Sequence, residues 1–148
     1  MKRFQFSLES VLTLRKFRKS ERAAELSRAM RQRLEIERNI KQCRSGLESL
    51  ENSLRETFSN RVHVHELLLL QEALRGKRED LTALESGFAE SLDRENAARE
   101  AVKKAQQECE ALHKLEERQR ERSRREAEHE DEKAMEEFVT ARRAVMRG

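Results

Sequence analysis

Residues 98–115 carry the pattern that most restricts the fold. Ala98, Val102, Ala105, Cys109, Leu112 and Leu115 recur at steps of four, three, four, three and three. That rhythm belongs to a helix packed lengthwise against another helix, as in a coiled coil. The residues between them are almost all charged or Gln. The helix has one apolar stripe to bury, and an earlier segment or a second copy must cover it.

The rest of the chain is permissive of long helices. It has 148 residues, 41% of them charged, with no Pro or Trp and four Gly. Without Pro, no interior position lacks the N–H that a helix needs. Aromatic residues make up 4%, too few for a large globular core. The expected fold is all-α, an elongated antiparallel two-helix coiled-coil hairpin forming a single unit over 1–148.

Helix one is expected over about residues 8–58. Ser7 precedes it as a candidate N-cap, since its hydroxyl can accept a hydrogen bond from a first-turn N–H. Phe6 and Val11 then have hydrophobic-staple spacing. At about 100° per residue, Phe4, Leu8, Val11 and Leu12 share one side, while Phe6 and Phe17 point nearly the opposite way. Phe6 is then either the staple alone or part of a second apolar face for another protein. The stripe runs on through Leu26, Met30, Leu34, Ile36, Ile40, Cys43, Leu47, Leu50, Leu54 and Phe58. Its drifting steps predict a phase slip near Leu34–Ile36.

Residues 59–65, Ser-Asn-Arg-Val-His-Val-His, interrupt the pattern. Asn60 can end a helix in the left-handed conformation, and the β-branched Val62 and Val64 favour extended backbone. This is the expected turn. A turn centred on Arg61 sets Gly46 and Gly76 equidistant from it, which permits either a close approach of the backbones or no relation at all. Helix two is expected over about 66–145, with Leu67, Leu70, Leu74, Leu81, Leu84 and Phe88 on its stripe. Leu68 and Leu69 cannot both join that stripe, so at least one faces outward. Past Leu115 the apolar stripe stops. Residues 116–137 alternate Glu and Arg, with Glu116–Arg120 and Glu121–Arg125 at ion-pair spacing. Such a stretch is either a helix with little burial or partly frayed. Met135, Phe138, Val139, Val145 and Met146 then form a short apolar patch.

Several functions are not expected. There is no Gly-rich phosphate loop, no Cys-x-x-Cys and no His-Glu-x-x-His, and a two-helix rod offers no concave pocket. No catalytic residue, cofactor or metal site is expected, and the chain is read as not an enzyme. His63 and His65 lack the further ligands a metal needs. Lys and Arg are interleaved with Glu and lack an aromatic stacking platform, which argues against nucleic acid. Cys43 and Cys109 fall on stripe positions, as buried thiols of a reducing cytosol do. The longest apolar run, Leu67–Leu70, is far short of a membrane span. Lys2 and Arg3 precede no long apolar segment, so no secretory signal is expected.

Phe4-x-Phe6-x-Leu8-x-x-Val11-Leu12-x-Leu14-Arg15 resembles the opening of the FliJ family of flagellar type III export proteins. Leu115-Glu116-Glu117-Arg118 and Glu132-Lys133-Ala134-Met135-Glu136-Glu137 resemble that family's C-terminal pattern. The resemblance implies a stalk-like hairpin whose terminal end inserts into the ring of the flagellar export ATPase. It also implies contact with the export-gate membrane protein and with export chaperones, in the cytoplasm and peripheral at the inner membrane. Carried onto this chain, the ATPase-facing residues are Phe4, Phe6, Val11, Leu14 and Arg15, with Arg118, Arg122 and Arg125. Gate contact falls to Phe58, Leu68 and Leu69. The rival readings are a parallel structural dimer without a turn and a membrane-surface helix at residues 2–17.

Overall fold

A computed structural model describes residues 3–60 and 63–148. Two helices fill it: α1, Glu9–Ser59, and α2, Val64–Arg147. They pack against each other as an all-α helical hairpin, and no strand occurs among the described residues. Arg61 and Val62, the centre of the expected turn, lie outside the described residues, as does Lys2. Ser59, Val64 and His65 are helical rather than part of the turn. Val64 opens α2, where no preceding helical turn crowds its branched side chain.

The residues divide into two compact units, Glu21–Lys103 and Met1–Ser20 with Lys104–Gly148. In the Glu21–Lys103 unit, Arg33 pairs with Glu95, Arg44 with Glu85 at 3.3 Å, and Glu51 with Arg78 at 3.9 Å. Rising numbers on α1 meet falling numbers on α2, so the helices are antiparallel. The Cys43 thiol donates to the Lys77 carbonyl at 3.5 Å. A parallel assembly with one continuous helix cannot make these contacts within one chain.

The seam of this unit alternates steps of three and four without a break. On α1 it is Leu26, Ala29, Arg33, Ile36, Ile40, Cys43, Leu47, Leu50, Leu54 and Thr57, all buried or half-buried. The expected phase slip is absent. Leu34 is 43% exposed, because Arg33 takes the seam position beside it. On α2 the seam is Leu67, Leu70, Leu74, Lys77, Leu81, Leu84, Phe88, Ser91, Glu95, Ala98 and Val102. Gly46 does not face Gly76. A Cβ on Gly46 would lie 3.6 Å from the Lys77 side chain, and one on Gly76 would meet nothing within 4 Å.

Glu95 is 3% exposed. It accepts hydrogen bonds from Arg33 of α1 and, at 2.9 Å, from Arg99 of α2. The Arg99 hydrogen bond does most to hold its carboxyl below the ordinary value of 4.5; desolvation works against it, and Arg33 reinforces the lowering. Ser91, also buried, donates to the Phe88 carbonyl at 2.7 Å.

In the other unit, Leu8 just before α1, Leu12 and Arg15 of α1, and Ala105, Cys109, Leu112, Glu116, Gln119 and Ser123 of α2 are buried or half-buried. The same three-four stepping continues there with polar residues after Leu115. Cys109, like Cys43, is a buried free thiol. Residues 116–137 are helical throughout, and every residue from Arg124 to Gly148 is exposed. Residues 3–8 are not helical, so of the rival surface helix over 2–17 only the part from Glu9 onward is helical.

Leu74, 4% exposed, and Leu34, 43% exposed, separate the observed seam from the slipped one. Leu74→Ala should lower unfolding stability by about 2–3 kcal/mol. Leu34→Ala should change it by about 0.5 kcal/mol or less. Urea unfolding followed by circular dichroism checks both, and equal losses would put Leu34 in the seam.

Candidate functional site

All the residues expected to face the ATPase fall in the unit made of Met1–Ser20 and Lys104–Gly148. Phe4 and Phe6 precede α1 in irregular backbone, so helical phase does not govern them. Phe6 is buried, 4% exposed; it does not form an outward face with Phe17, which is 60% exposed. The Phe6 carbonyl accepts the Glu9 N–H at 3.2 Å, which ties the segment to the first turn. Ser7 does not cap the helix: its hydroxyl donates to Gln119 Oε1 at 3.4 Å. Phe4 is half-buried with the Arg120 guanidinium over its ring, 5.3 Å from the centroid, a cation–π contact.

Val11, Leu14 and Phe17 follow one another at steps of three on α1, 37%, 47% and 60% exposed. They wind around the solvent side of the helix, since the seam positions are Leu8, Leu12 and Arg15. Arg15 is held by Glu108 of α2 at 2.8 Å.

On α2, Lys114, Glu117, Arg118, Glu121, Arg122 and Arg125 line an open groove along one helical face. Arg122 pairs with Glu126 at 3.6 Å and Arg125 with Glu121 at 3.2 Å. Arg118 has no carboxylate within ion-pair distance among the described residues. Glu121 also accepts from Arg124 at 2.7 Å. That hydrogen bond is the main reason its carboxyl sits below the ordinary value, against a smaller desolvation effect and with help from Arg125. The face therefore stays charged at neutral pH, and its pairs are exposed and individually weak.

The residues expected to meet the export gate lie in the Glu21–Lys103 unit. Phe58 is 59% exposed on the last turn of α1, and Leu68 and Leu69 are 58% and 59% exposed near the start of α2. Both leucines face outward. Val64, 68% exposed, joins the apolar residues of this region. His63 and His65 are exposed, and no group of His, Cys, Asp or Glu suited to a metal ion occurs among the described residues. No described helix is long and apolar enough to cross a membrane.

Sequence reasoning missed Arg120, Arg33 and Glu95. Glu95 was detectable: the α2 stripe jumps from Phe88 to Ala98, and heptad steps place Ser91 and Glu95 in the gap.

With the hairpin and its exposed terminal residues in view, the decisive comparison is a family one. Residues 4–147 match the family model of the flagellar FliJ protein. The chain belongs to the FliJ family. That membership points to a role in flagellar protein export, with partners in the export apparatus. No curated protein and no solved structure matched the chain. In this FliJ-family hairpin, the residues of the resemblance divide into a buried set, Phe6 and Leu12, and an exposed set, Val11 and Leu14.

Phe6→Ala should release the segment before α1, seen as faster amide exchange over residues 9–15. Phe17→Ala should leave that exchange at the parent rate. Equal effects would mean that Phe6 is not anchoring the segment.

Proposed function

We propose that this protein is a non-catalytic stalk of the flagellar type III export machinery. In this reading it binds in the ring of the export ATPase, promotes ring assembly and ATP hydrolysis, and couples the ATPase to the export-gate membrane protein. It also handles export chaperones, and works in the cytoplasm at the flagellar base, held at the inner membrane by its partners.

The observation that carries the ATPase contact is the exposure of Val11 and Leu14 in the unit that also presents Arg118, which has no carboxylate within ion-pair distance among the described residues. Apolar side chains supply contact area, and an unpaired guanidinium can take a carboxylate in bidentate fashion. Phe4, Arg15, Arg122 and Arg125 belong to the same unit but already have partners within the chain, so they exchange one pair for another on binding. Phe6, which is buried, is not itself available to a partner. A stalk in a ring has to shift without locking, and many modest contacts serve that better than one deep anchor. Phe58, Leu68 and Leu69 are assigned to the gate because they are exposed apolar residues that the hairpin itself does not use.

Val11→Ala combined with Leu14→Ala and Arg118→Glu should weaken binding to the export ATPase by about tenfold or more, corresponding to about 1.4 kcal/mol or more. Stimulated ATP hydrolysis should fall with it while helical content stays constant. Leu68→Ser with Leu69→Ser should preserve stimulation and reduce gate binding. Parent-level stimulation by the triple variant would contradict the stalk assignment.

A further inference from the structure

Ion pairing along α2 changes character after Glu128. Between Glu116 and Glu128 the charges pair along their own helix: Glu116 with Arg120 at 3.2 Å, Arg122 with Glu126 at 3.6 Å, and Arg124 with Glu128 at 3.9 Å. From His129 to Gly148 no such pair occurs among the described residues. For the arginines the spacing explains this, whereas Lys133 has Glu130, Glu136 and Glu137 three or four positions away. Arg142, Arg143 and Arg147 have no acid three or four positions away. Residues 126–137 hold seven acids against the single base Lys133, counting His129 as neutral, and residues 138–147 hold three Arg and no acid. The segment is thus an acidic half followed by a basic half; Glu126 and Glu128 pair with Arg122 and Arg124, while the carboxylates from Glu130 to Glu137 and the three arginines have no ion pair among the described residues.

The same segment carries an apolar stripe. Met135, Phe138, Val139, Val145 and Met146 are 66%, 64%, 43%, 80% and 75% exposed. Continuing the seam steps past Ser123 selects Glu126, Glu130, Lys133, Glu137, Thr140 and Ala144, none of them large and apolar. At about 100° per residue the stripe lies on the opposite side of α2 from those positions. It is therefore a separate face, out of phase with the hairpin seam. Met135, Val139, Arg142 and Met146 follow steps of four, three and four along its middle. Phe138 and Val145 flank one edge, and Glu136 and Arg143 flank the other.

We infer that this face binds a second copy of the chain, with the two C-terminal helices antiparallel. In that arrangement Met135 of one copy lies beside Met146 of the other and Phe138 beside Val145. Glu136 of each copy stands opposite Arg143 of the other, so the acidic half of one helix meets the basic half of its partner. A parallel pair would instead set Arg142, in the middle of the stripe, against Arg142 of the partner and place Glu136 and Arg143 against the apolar edge of Phe138 and Val145, which like-charge repulsion and the loss of charge pairing oppose. The antiparallel pair satisfies charges that a single chain leaves unpaired and covers the apolar stripe in the same step.

Sedimentation of the full chain over a concentration series tests the pairing. The parent should shift from its 17.5 kDa monomer toward twice that mass as concentration rises. Glu136→Arg alone and Arg143→Glu alone should each remain monomeric, with circular dichroism unchanged because both positions are exposed. Mixing the two single variants should restore a dimer, since each then offers the charge the other needs. The double variant should pair with itself for the same reason. A parent that stays monomeric at every concentration overturns the inference and leaves the stripe to another protein. So does a dimer that neither single reversal weakens, and a mixture of the two singles that stays monomeric rules out the antiparallel arrangement.

Discussion

The fold depends on a carboxylate placed where a coiled coil ordinarily puts an apolar side chain. Glu95 occupies a seam position of α2 and is bonded by Arg33, a seam residue of α1, and by Arg99 one turn away on its own helix. A buried ion pair of this kind contributes little net stability against a well-packed apolar pair, because both charges lose water. Leaving either partner alone in the seam is costly. The layer therefore penalises registers that separate Arg33 from Glu95, much as a lone polar seam residue fixes register in simpler coiled coils. The apolar residues on both sides, Ile40 and Leu74 among them, supply attraction that is indifferent to a slip of one heptad. The polar layer is not indifferent.

Function follows from what the seam leaves over. A two-stranded coiled coil buries one stripe of each helix, so every further apolar residue is exposed unless a partner covers it. Val11, Leu14 and Phe17 in one unit, and Phe58, Val64, Leu68 and Leu69 in the other, are in this position. The charged face around Arg118 adds cations whose local pairs are solvent-exposed and readily exchanged. Such a surface suits contact with subunits of a larger machine, in keeping with membership of the FliJ family.

Much of this was legible in the sequence because a heptad repeat is a direct image of a helix interface. The hairpin and the stripe through Leu112 follow from periodicity, as does an outward-facing leucine at Leu68 or Leu69, of which the structure exposes both. The misplaced seam residue has a single cause: apolar character is not the same as burial. Leu34 was placed on the seam because it is apolar, whereas the unbroken repeat selects Arg33, whose long stem packs while its head pairs with Glu95. The apparent phase slip disappears once Ala29 and Arg33 take the seam positions in place of Met30 and Leu34. Phe6 was assigned a helical direction although it precedes the helix, and Ser7, which has capping chemistry, bonds to Gln119 instead. Gly46 and Gly76 were symmetric in sequence only. The surface residues were harder to read, since exposure of Val11 or Leu14 depends on which neighbours the seam has already claimed.

A double-mutant cycle on Arg33 and Glu95, followed against pH, tests the polar layer most directly. Glu95 has its carboxyl lowered below 4.5 by its arginines. A lowered folded-state value means that its contribution is complete above the unfolded-state value and is lost as pH falls through the folded-state one. Arg33→Met and Glu95→Leu should each destabilise the chain at neutral pH, and the double variant should recover much of the combined loss. The recovery should shrink on acidification below the ordinary carboxylate range. Strictly additive losses at neutral pH, or a coupling that ignores acid, would contradict a seam whose register is set by this ion pair.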